Sequence, residues 1–193
     1  MTTKPQVRIR PPIVPVLNLP NALTGFRLLL APVLGVVLVV AGDTQEGRLI
    51  ALLVFGTACL TDVADGHLAR ARGLCTDFGA FIDPIADKAL VGAGLVALSL
   101  LGVVPWWATA VIMGREVMVT LIRLAVLRHA VIPASRGGKA KTVSQSAAIV
   151  VCLLPLPDDL AWVGATTLLT AVACTVLTGL DYAVRAARLR SHR

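Results

Sequence analysis

The chain has 193 residues, of which 56% are hydrophobic and 15% are charged, and its mean hydropathy is +0.82. An average soluble domain carries about 25% charged residues, so this composition excludes an ordinary soluble protein and predicts a membrane protein. The net charge of +7 is not accompanied by interleaved aromatic residues, which argues against nucleic-acid binding. The four cysteines are scattered and indicate neither a disulfide framework nor a zinc site.

Apolar segments recur along the chain and predict an all-α integral membrane protein with six transmembrane helices. A helix needs about 20 apolar residues to cross a bilayer, or fewer where it continues into a polar interior. The segments lie near 22–41, 49–61, 89–103, 105–127, 143–156 and 160–180. We therefore expect an N-terminal segment at 1–17, one six-helix domain at 18–184 and a basic tail at 185–193.

Basic residues between these segments predict the orientation of the helices, because cytoplasmic loops retain Lys and Arg. Most of them fall on one side of the predicted membrane: Lys4, Arg8, Arg10, Arg70, Arg72, Arg128, Arg136, Lys139, Lys141, Arg185, Arg188, Arg190 and Arg193. The loops on the other side are mainly acidic. Both termini are therefore expected in the cytoplasm, and the basic face suits anionic lipid headgroups.

Five aspartates lie within the segment DVADGHLARARGLCTDFGAFIDPIADK, residues 62–88, where the second apolar segment ends and the third begins. Carboxylates at membrane depth are costly and mark sites that face a cavity, a partner or a metal. Asp62 and Asp65 share one helix face, and so do Asp83 and Asp87, because residues three or four apart are neighbours on a helix. A short connection predicts that the two helices are antiparallel neighbours, so the four carboxylates converge near the cytoplasmic face.

Four converging carboxylates repel one another, and a divalent cation would relieve this repulsion. Oxygen ligands without His or Cys at ligand spacing favour Mg²⁺, with Mn²⁺ as a substitute. Two ions are compatible with this many carboxylates, since two-metal sites serve in-line displacement at phosphorus. His67 lies two residues after Asp65, on another helix face, and we interpret it as a side chain at headgroup level.

Small residues and cations near the aspartates fit the same chemistry. Gly66, Ala69 and Gly79 leave room for a ligand, and Arg70 can meet a phosphate as a planar fork; the alternative is that the small residues allow close helix packing. Thr76 or Asp77 is expected to cap the third helix. Four further cations lie within or beside apolar segments and are expected to meet the carboxylates: Arg27, Lys88, Arg115 and Arg123. For Arg27 the alternative is that its side chain snorkels to the interface.

The aspartate segment also carries a family pattern. The spacing D-x2-D-G-x2-A-R-x8-G-x3-D-x3-D is met by Asp62, Asp65, Gly66, Ala69, Arg70, Gly79, Asp83 and Asp87. This pattern resembles the CDP-alcohol phosphotransferases, six-helix membrane enzymes that usually form homodimers. The resemblance implies that a CDP-alcohol donates a phosphatidyl-type group to an acceptor hydroxyl and that CMP leaves.

The same resemblance implies a role for each matched residue. It implies metal binding by Asp62, Asp65 and Asp83. For Asp87 it implies a general base with a share in metal binding. It implies a nucleotide pocket that contains Asp62, Gly66, Ala69, Arg70 and Gly79.

Three further segments are similar to the branch of the family that forms phosphatidylglycerophosphate: NLPNALTGFR at 18–27, GREVMVTLIR at 114–123 and GGKAKTVSQ at 137–145. This implies CDP-diacylglycerol as donor, sn-glycerol 3-phosphate as acceptor, and a bacterial-type inner membrane with the active site toward the cytoplasm. An acceptor phosphate needs cationic partners. Arg115 and Arg123 lie on roughly one helix face and Lys139 and Lys141 begin the fifth helix, so these four would supply them. The alternative for Arg115 is that Glu116 of its own helix or an aspartate holds it, and the alternative for the lysines is a positive-inside anchor.

Other functions fit parts of the pattern. Phosphatidylglycerol, as in cardiolipin synthesis, or inositol phosphate would use the same aspartate chemistry. An intramembrane prenyltransferase would need more than six helices. An ion or proton transporter would place carboxylates near the bilayer midplane within an internal repeat, and the sequence contains no such repeat. The sequence therefore favours a phosphatidyltransferase.

Overall fold

The computed structural model describes residues 18–72, 76–127 and 136–191, apart from some side chains near the ends of these ranges. These residues form six α-helices and no β-strand, as the sequence predicts. The helices are α1 (Leu19–Ala41), α2 (Gln45–Arg72), α3 (Asp77–Leu100), α4 (Trp106–Leu127), α5 (Arg136–Leu153) and α6 (Ala161–Ser191), with a 3₁₀ turn at Asp158–Leu160.

The ends of the helices follow from local capping. Asn18 caps α1, since its side chain accepts a hydrogen bond from the backbone N–H of Asn21 at 2.9 Å, and Pro20 lies in the first turn. Thr76 caps α3 by accepting from the backbone N–H of Gly79 at 3.0 Å, so it is one of the two predicted caps. Between α3 and α4, Gly102 adopts a φ of +74°, which favours glycine.

The helices extend beyond the apolar segments that predict them. α2 continues to Arg72, although its apolar segment ends near 61, and α3 begins at Asp77, well before its apolar segment. The backbone hydrogen bonds of a helix do not depend on the polarity of its side chains. Both pairs of aspartates are therefore held on rigid helical turns.

Two helices organise the bundle. α1 packs against both α2 and α3, and α6 packs against both α4 and α5. The two groups of helices meet where α3 contacts α4 and α5 and where α2 contacts α5. Within the described ranges, direct packing between α2 and α3 is not extensive. The predicted direct pairing of these two helices is thus replaced by a shared partner, α1.

The core contains buried residues from all six helices, including Leu168 of α6. Its fully buried side chains are Leu34, Leu38, Phe55, Leu95, Leu98, Ile112, Ile149 and Leu153. Large apolar side chains also cover the outside, for example Val40, Leu53, Leu60 and Leu177. An apolar exterior of this extent suits a lipid environment.

Three helical segments in the described part of the chain are long and apolar enough to cross a membrane: Leu19–Ala41, Gln45–Leu68 and Ala161–Arg185. Ala140–Leu153 is a shorter apolar helix. α3 and α4 carry charged residues in their interiors, including Asp87 and Glu116, and this lowers their hydropathy. The chain is thus a helical membrane protein, while six crossings with both termini in the cytoplasm stay a prediction.

Candidate active site

Arg27 of α1 lies among the aspartates of α2. Its Nη1 atom forms an ion pair with Asp62, and its Nη2 atom forms an ion pair and a hydrogen bond with Asp65. Arg27 is 0% exposed and Asp65 is 4% exposed, whereas 49% of the Asp62 side chain is exposed. A buried charge is tolerated when an opposite charge compensates it. Arg27 therefore meets the carboxylates and does not snorkel to the interface.

Thr24, about one helical turn before Arg27, connects α1 to the aspartates of α3. Its hydroxyl oxygen lies 2.6 Å from Oδ1 of Asp83 and 3.5 Å from Oδ2 of Asp65. A hydroxyl has one proton to donate, and the shorter distance identifies Asp83 as its main acceptor. Because Thr24 is 3% exposed, water competes little for this hydrogen bond.

The structure thus brings Asp62, Asp65 and Asp83 to one side of α1. Asp87 lies one turn after Asp83 on α3 and is half-buried. We call Asp62, Asp65, Asp83, Asp87, Arg27 and Thr24 the aspartate cluster. The roles predicted for its four carboxylates stay predictions.

The residues predicted for the nucleotide pocket are only partly described. Gly66 follows Asp65 on α2 and is half-buried, and Gly79 is buried in the first turn of α3. A Cβ atom at Gly79 would lie 2.5 Å from Oδ1 of Asn21, so glycine here allows α1 to approach α3 closely, in line with the packing alternative. Ala69 and Arg70 lie on α2, but their side chains are outside the described residues.

A second polar cluster is buried between α4, α5 and α6. Oε1 of Glu116, a residue that is 8% exposed, accepts hydrogen bonds from Nη1 of Arg115 at 3.1 Å and from Nζ of Lys141. Nη2 of Arg115 donates to the hydroxyl of Thr178 on α6 at 3.2 Å. We call Arg115, Glu116, Lys141 and Thr178 the glutamate cluster. Two cations and one carboxylate leave it one net positive charge.

The glutamate cluster contains two of the four residues predicted to bind the acceptor phosphate. Arg115 and Lys141 are brought together, but both are already paired with Glu116. Arg123 lies on α4 and Lys139 on α5, and their side chains are outside the described residues. Lys88 of α3 lies beside this cluster, since its Nζ donates to Thr120, whose hydroxyl donates to the backbone carbonyl of Glu116 at 2.7 Å.

Two threonines of these clusters, Thr24 and Thr178, were not singled out by the sequence. Thr24 gives no signal, because a threonine is an ordinary residue in an apolar helix. Glu116 is one of the two partners that the sequence suggests for Arg115, and the structure shows this pairing. The sequence does not reveal that the second partner of Glu116 is Lys141.

The aspartate cluster has the chemistry of a site for a hard divalent cation. Its donors are carboxylate and hydroxyl oxygens, which Mg²⁺ and Mn²⁺ accept. Counted as ionised, the four carboxylates and one guanidinium of the cluster leave three net negative charges, and Nε and Nη1 of Arg27 are buried without a hydrogen-bond partner. Among the residues described, no group of three or more Asp, Glu, His or Cys side chains is arranged to coordinate one ion. The donor types fit a cation, and the arrangement is one in which an internal arginine neutralises part of the charge.

Comparison with known proteins decides the family. The sequence model of the CDP-alcohol phosphatidyltransferases matches residues 17–177. The chain belongs to this family. The match includes α1 to α5 and the first half of α6, and it covers every residue of the two polar clusters except Thr178. Members of the family generally depend on divalent metals.

Several relatives are similar over most of their length. The chain is 49% identical over 172 residues to the "Probable phosphatidylglycerophosphate synthase" of Mycobacterium tuberculosis (strain H37Rv), which covers 89% of this chain and 82% of that protein. It is 34% identical over 186 residues to the CDP-diacylglycerol–glycerol-3-phosphate 3-phosphatidyltransferase of Bacillus subtilis (strain 168), covering 86% and 93%. The protein is therefore a transferase of phospholipid biosynthesis, similar to phosphatidylglycerophosphate synthases.

Proposed function

We propose that this enzyme transfers the phosphatidyl group of CDP-diacylglycerol to sn-glycerol 3-phosphate and releases CMP. The observation that carries the proposal is that α3, which carries Asp87, connects the two polar clusters: Asp83 accepts a hydrogen bond from Thr24, and Lys88 donates to Thr120 beside Glu116. A base between an anionic donor site and a cationic acceptor site suits this reaction. The names of the relatives support the same pair of substrates.

In this proposal the aspartate cluster binds the diphosphate of the donor. Two divalent cations, Mg²⁺ or Mn²⁺, would be held by Asp62, Asp65 and Asp83 with a share from Asp87. They would supply positive charge to the phosphoryl oxygens and the leaving CMP. Arg70 meets the diphosphate as a planar fork. Gly66 and Ala69 leave room for the nucleotide, and Gly79 allows α1 to pack closely against the start of α3.

Asp87 acts as general base. It takes the proton of the primary hydroxyl of sn-glycerol 3-phosphate while that oxygen attacks the phosphorus of the phosphatidyl group. The new P–O bond forms as the bond to the bridging oxygen breaks, and that oxygen leaves with CMP. An alcohol is a poor nucleophile until a base accepts its proton, so the position of Asp87 controls the rate.

The glutamate cluster and its surroundings bind the phosphate of the acceptor. Arg115, Arg123, Lys139 and Lys141 are the proposed ligands. Glu116 holds Arg115 and Lys141 in place at a net positive charge, which favours a phosphate. We further propose a homodimer in the bacterial inner membrane, with the active site toward the cytoplasm.

The experiment that tests this function measures CMP release by the purified protein in lipid, with CDP-diacylglycerol, Mg²⁺ and one acceptor at a time. The acceptors are sn-glycerol 3-phosphate, inositol phosphate, inositol, phosphatidylglycerol and serine. We expect turnover with sn-glycerol 3-phosphate and its loss with EDTA. Turnover with another acceptor alone would overturn the acceptor assignment, and activity that survives EDTA would overturn the metal requirement.

Asp87→Asn tests the general base. We expect kcat to fall by about 10²–10⁴-fold, because the amide cannot accept the proton, while the variant still binds CDP-diacylglycerol. The control is Asp181→Asn, which removes an exposed carboxylate paired with Arg185 on α6 and is expected to leave kcat unchanged. If Asp87→Asn weakens donor binding and leaves kcat intact, Asp87 is a ligand and not the base.

A further inference from the structure

We propose that Arg27 is a resident counter-ion of the aspartate cluster that competes with the divalent cation for Asp62 and Asp65. The inference rests on the metal requirement in the proposed function. The family pattern at residues 62–87 does not include Arg27 and assigns it no role.

Arg27 is buried beside two carboxylates. Its side chain is 1% exposed, and its nearest charges are the two carboxylates that the family pattern predicts as metal ligands. Removing one partner from a buried ion pair leaves the other partner charged and unpaired, which is strongly destabilising. Without a cation, Arg27 therefore keeps Asp62 and Asp65 from repelling each other.

Arg27 uses only part of its hydrogen-bonding capacity. Nη2 bonds to Asp65, but Nη1 contacts Asp62 without the geometry of a hydrogen bond, and Nε also has no partner although both atoms are buried. A guanidinium has five donors, and here several remain unused. The pairing with Asp62 is thus mainly electrostatic, and Asp62 is half-exposed, so a cation can reach its free side.

Arg27 also reduces the net negative charge that a cation meets in the aspartate cluster. Arg27 offsets one of the three carboxylates of Asp62, Asp65 and Asp83. A divalent cation bound to the same carboxylates would face the positive charge of Arg27 across a short distance, and like charges at short range repel. The affinity of the cluster for a cation is therefore lower than that of the carboxylates alone, and the cation exchanges more readily.

The test measures metal binding without substrate. Chelator-treated wild-type protein and Arg27→Gln are titrated with Mn²⁺ or Mg²⁺ alone, and the midpoint of the rise in Tm is recorded. We expect Arg27→Gln to have a lower Tm without metal and a midpoint at least about tenfold lower in metal concentration. An unchanged or higher midpoint would overturn the proposal.

Two further variants keep the test decisive. Arg27→Lys retains one charge but can approach fewer carboxylate oxygens at once, so its midpoint should lie between those of wild type and Arg27→Gln; a midpoint equal to that of wild type or higher contradicts the competition, even if Arg27→Gln does not fold. Arg115→Gln removes a buried arginine outside the aspartate cluster and should lower Tm without moving the midpoint. CMP release in the same preparations is scored separately, so a failed reaction is distinguished from failed competition.

Discussion

Thr24 and Arg27 show how much of the candidate site is contributed by a helix that lacks the aspartate motif. Each side chain bonds to a carboxylate of another helix, Thr24 to Asp83 and Arg27 to Asp65. Both residues are almost fully buried, so these bonds form away from water, where an unmade bond is expensive. We conclude that the positions of the aspartates depend on two side chains of α1.

Thr24→Val tests this conclusion. The substitution keeps the shape of the side chain but leaves Oδ1 of Asp83 without its 2.6 Å donor. We expect the free energy of unfolding to fall by about 1–3 kcal/mol, together with a lower rate of CMP release. The measurements are thermal unfolding and initial rates on the same preparation.

Thr170→Val is the matched control for this change. The hydroxyl of Thr170 is exposed and donates to the carbonyl of Thr166 in its own helix at 2.8 Å. Its loss should change neither quantity appreciably. Equal effects of the two substitutions would show that the link between Thr24 and Asp83 has no special role.

At this scale the sequence predicts which residues are charged and buried, but not their partners. Arg27 and Asp65 are 38 positions apart in the chain, and Glu116 and Lys141 are 25 apart. Helical periodicity relates residues three or four apart and gives no distance across helices. Prediction therefore identifies the four aspartates and the buried cations, and it leaves open that α1 connects them and that Glu116 holds Lys141.

Among the elements, α6 has a clear part in positioning Arg115. Thr178 accepts a hydrogen bond from the arginine at 3.2 Å, and the next residue, Gly179, leaves room for its side chain. A Cβ atom at Gly179 would lie 3.0 Å from Cγ and 3.3 Å from Nε of Arg115. α6 therefore holds Arg115 through Nη2, while Glu116 holds Nη1, although no residue of α6 is predicted to bind substrate.

Gly179→Ala should displace Arg115 by a few tenths of an ångström. We expect the KM for sn-glycerol 3-phosphate to rise several-fold while the KM for CDP-diacylglycerol stays the same, because only the acceptor pocket is disturbed. Gly164→Ala lies on the same helix with nothing within 4 Å of the added Cβ and serves as control. A rise in the donor KM alone would place Arg115 on the donor side.

The elements themselves are largely predictable. All six apolar segments coincide with helices, because a long apolar run in a membrane protein satisfies its backbone only as a helix. The helix ends are predicted less well: α2 and α3 continue through the aspartates, where hydropathy falls but helical bonding does not. The packing of α1 on both α2 and α3 depends on side-chain fit that the sequence pattern does not contain.

For the whole molecule, the three tryptophans give a marker of orientation. Trp106 and Trp107 begin α4, Trp162 lies in the first turn of α6, and all three are more than half exposed. Tryptophan is enriched at membrane interfaces. If six helices cross the membrane and the N-terminus is cytoplasmic, all three tryptophans lie at the outer interface, opposite the basic loops.

Labelling of a single cysteine tests this arrangement. In a variant without the four native cysteines, Trp162→Cys should react with a membrane-impermeant maleimide in intact cells, whereas Arg193→Cys should react only after the cells are permeabilised. If only α1, α2 and α6 cross the membrane and the N-terminus is again cytoplasmic, the start of α6 lies in the cytoplasm and residue 193 lies outside. Labelling at 193 alone in intact cells would therefore reject six crossings.

The buried arginine of α1 also affects how the protein is made. Arg27 reaches the ribosome exit well before Asp65, which follows 38 residues later in the chain. At 5–20 residues per second this corresponds to about 2–8 s of synthesis. During that interval the first helix carries a cation without its partner, and such a helix is costly to leave in lipid. We expect α1 to stay beside the insertion machinery until α2 emerges, so that the two helices enter the bilayer as a pair.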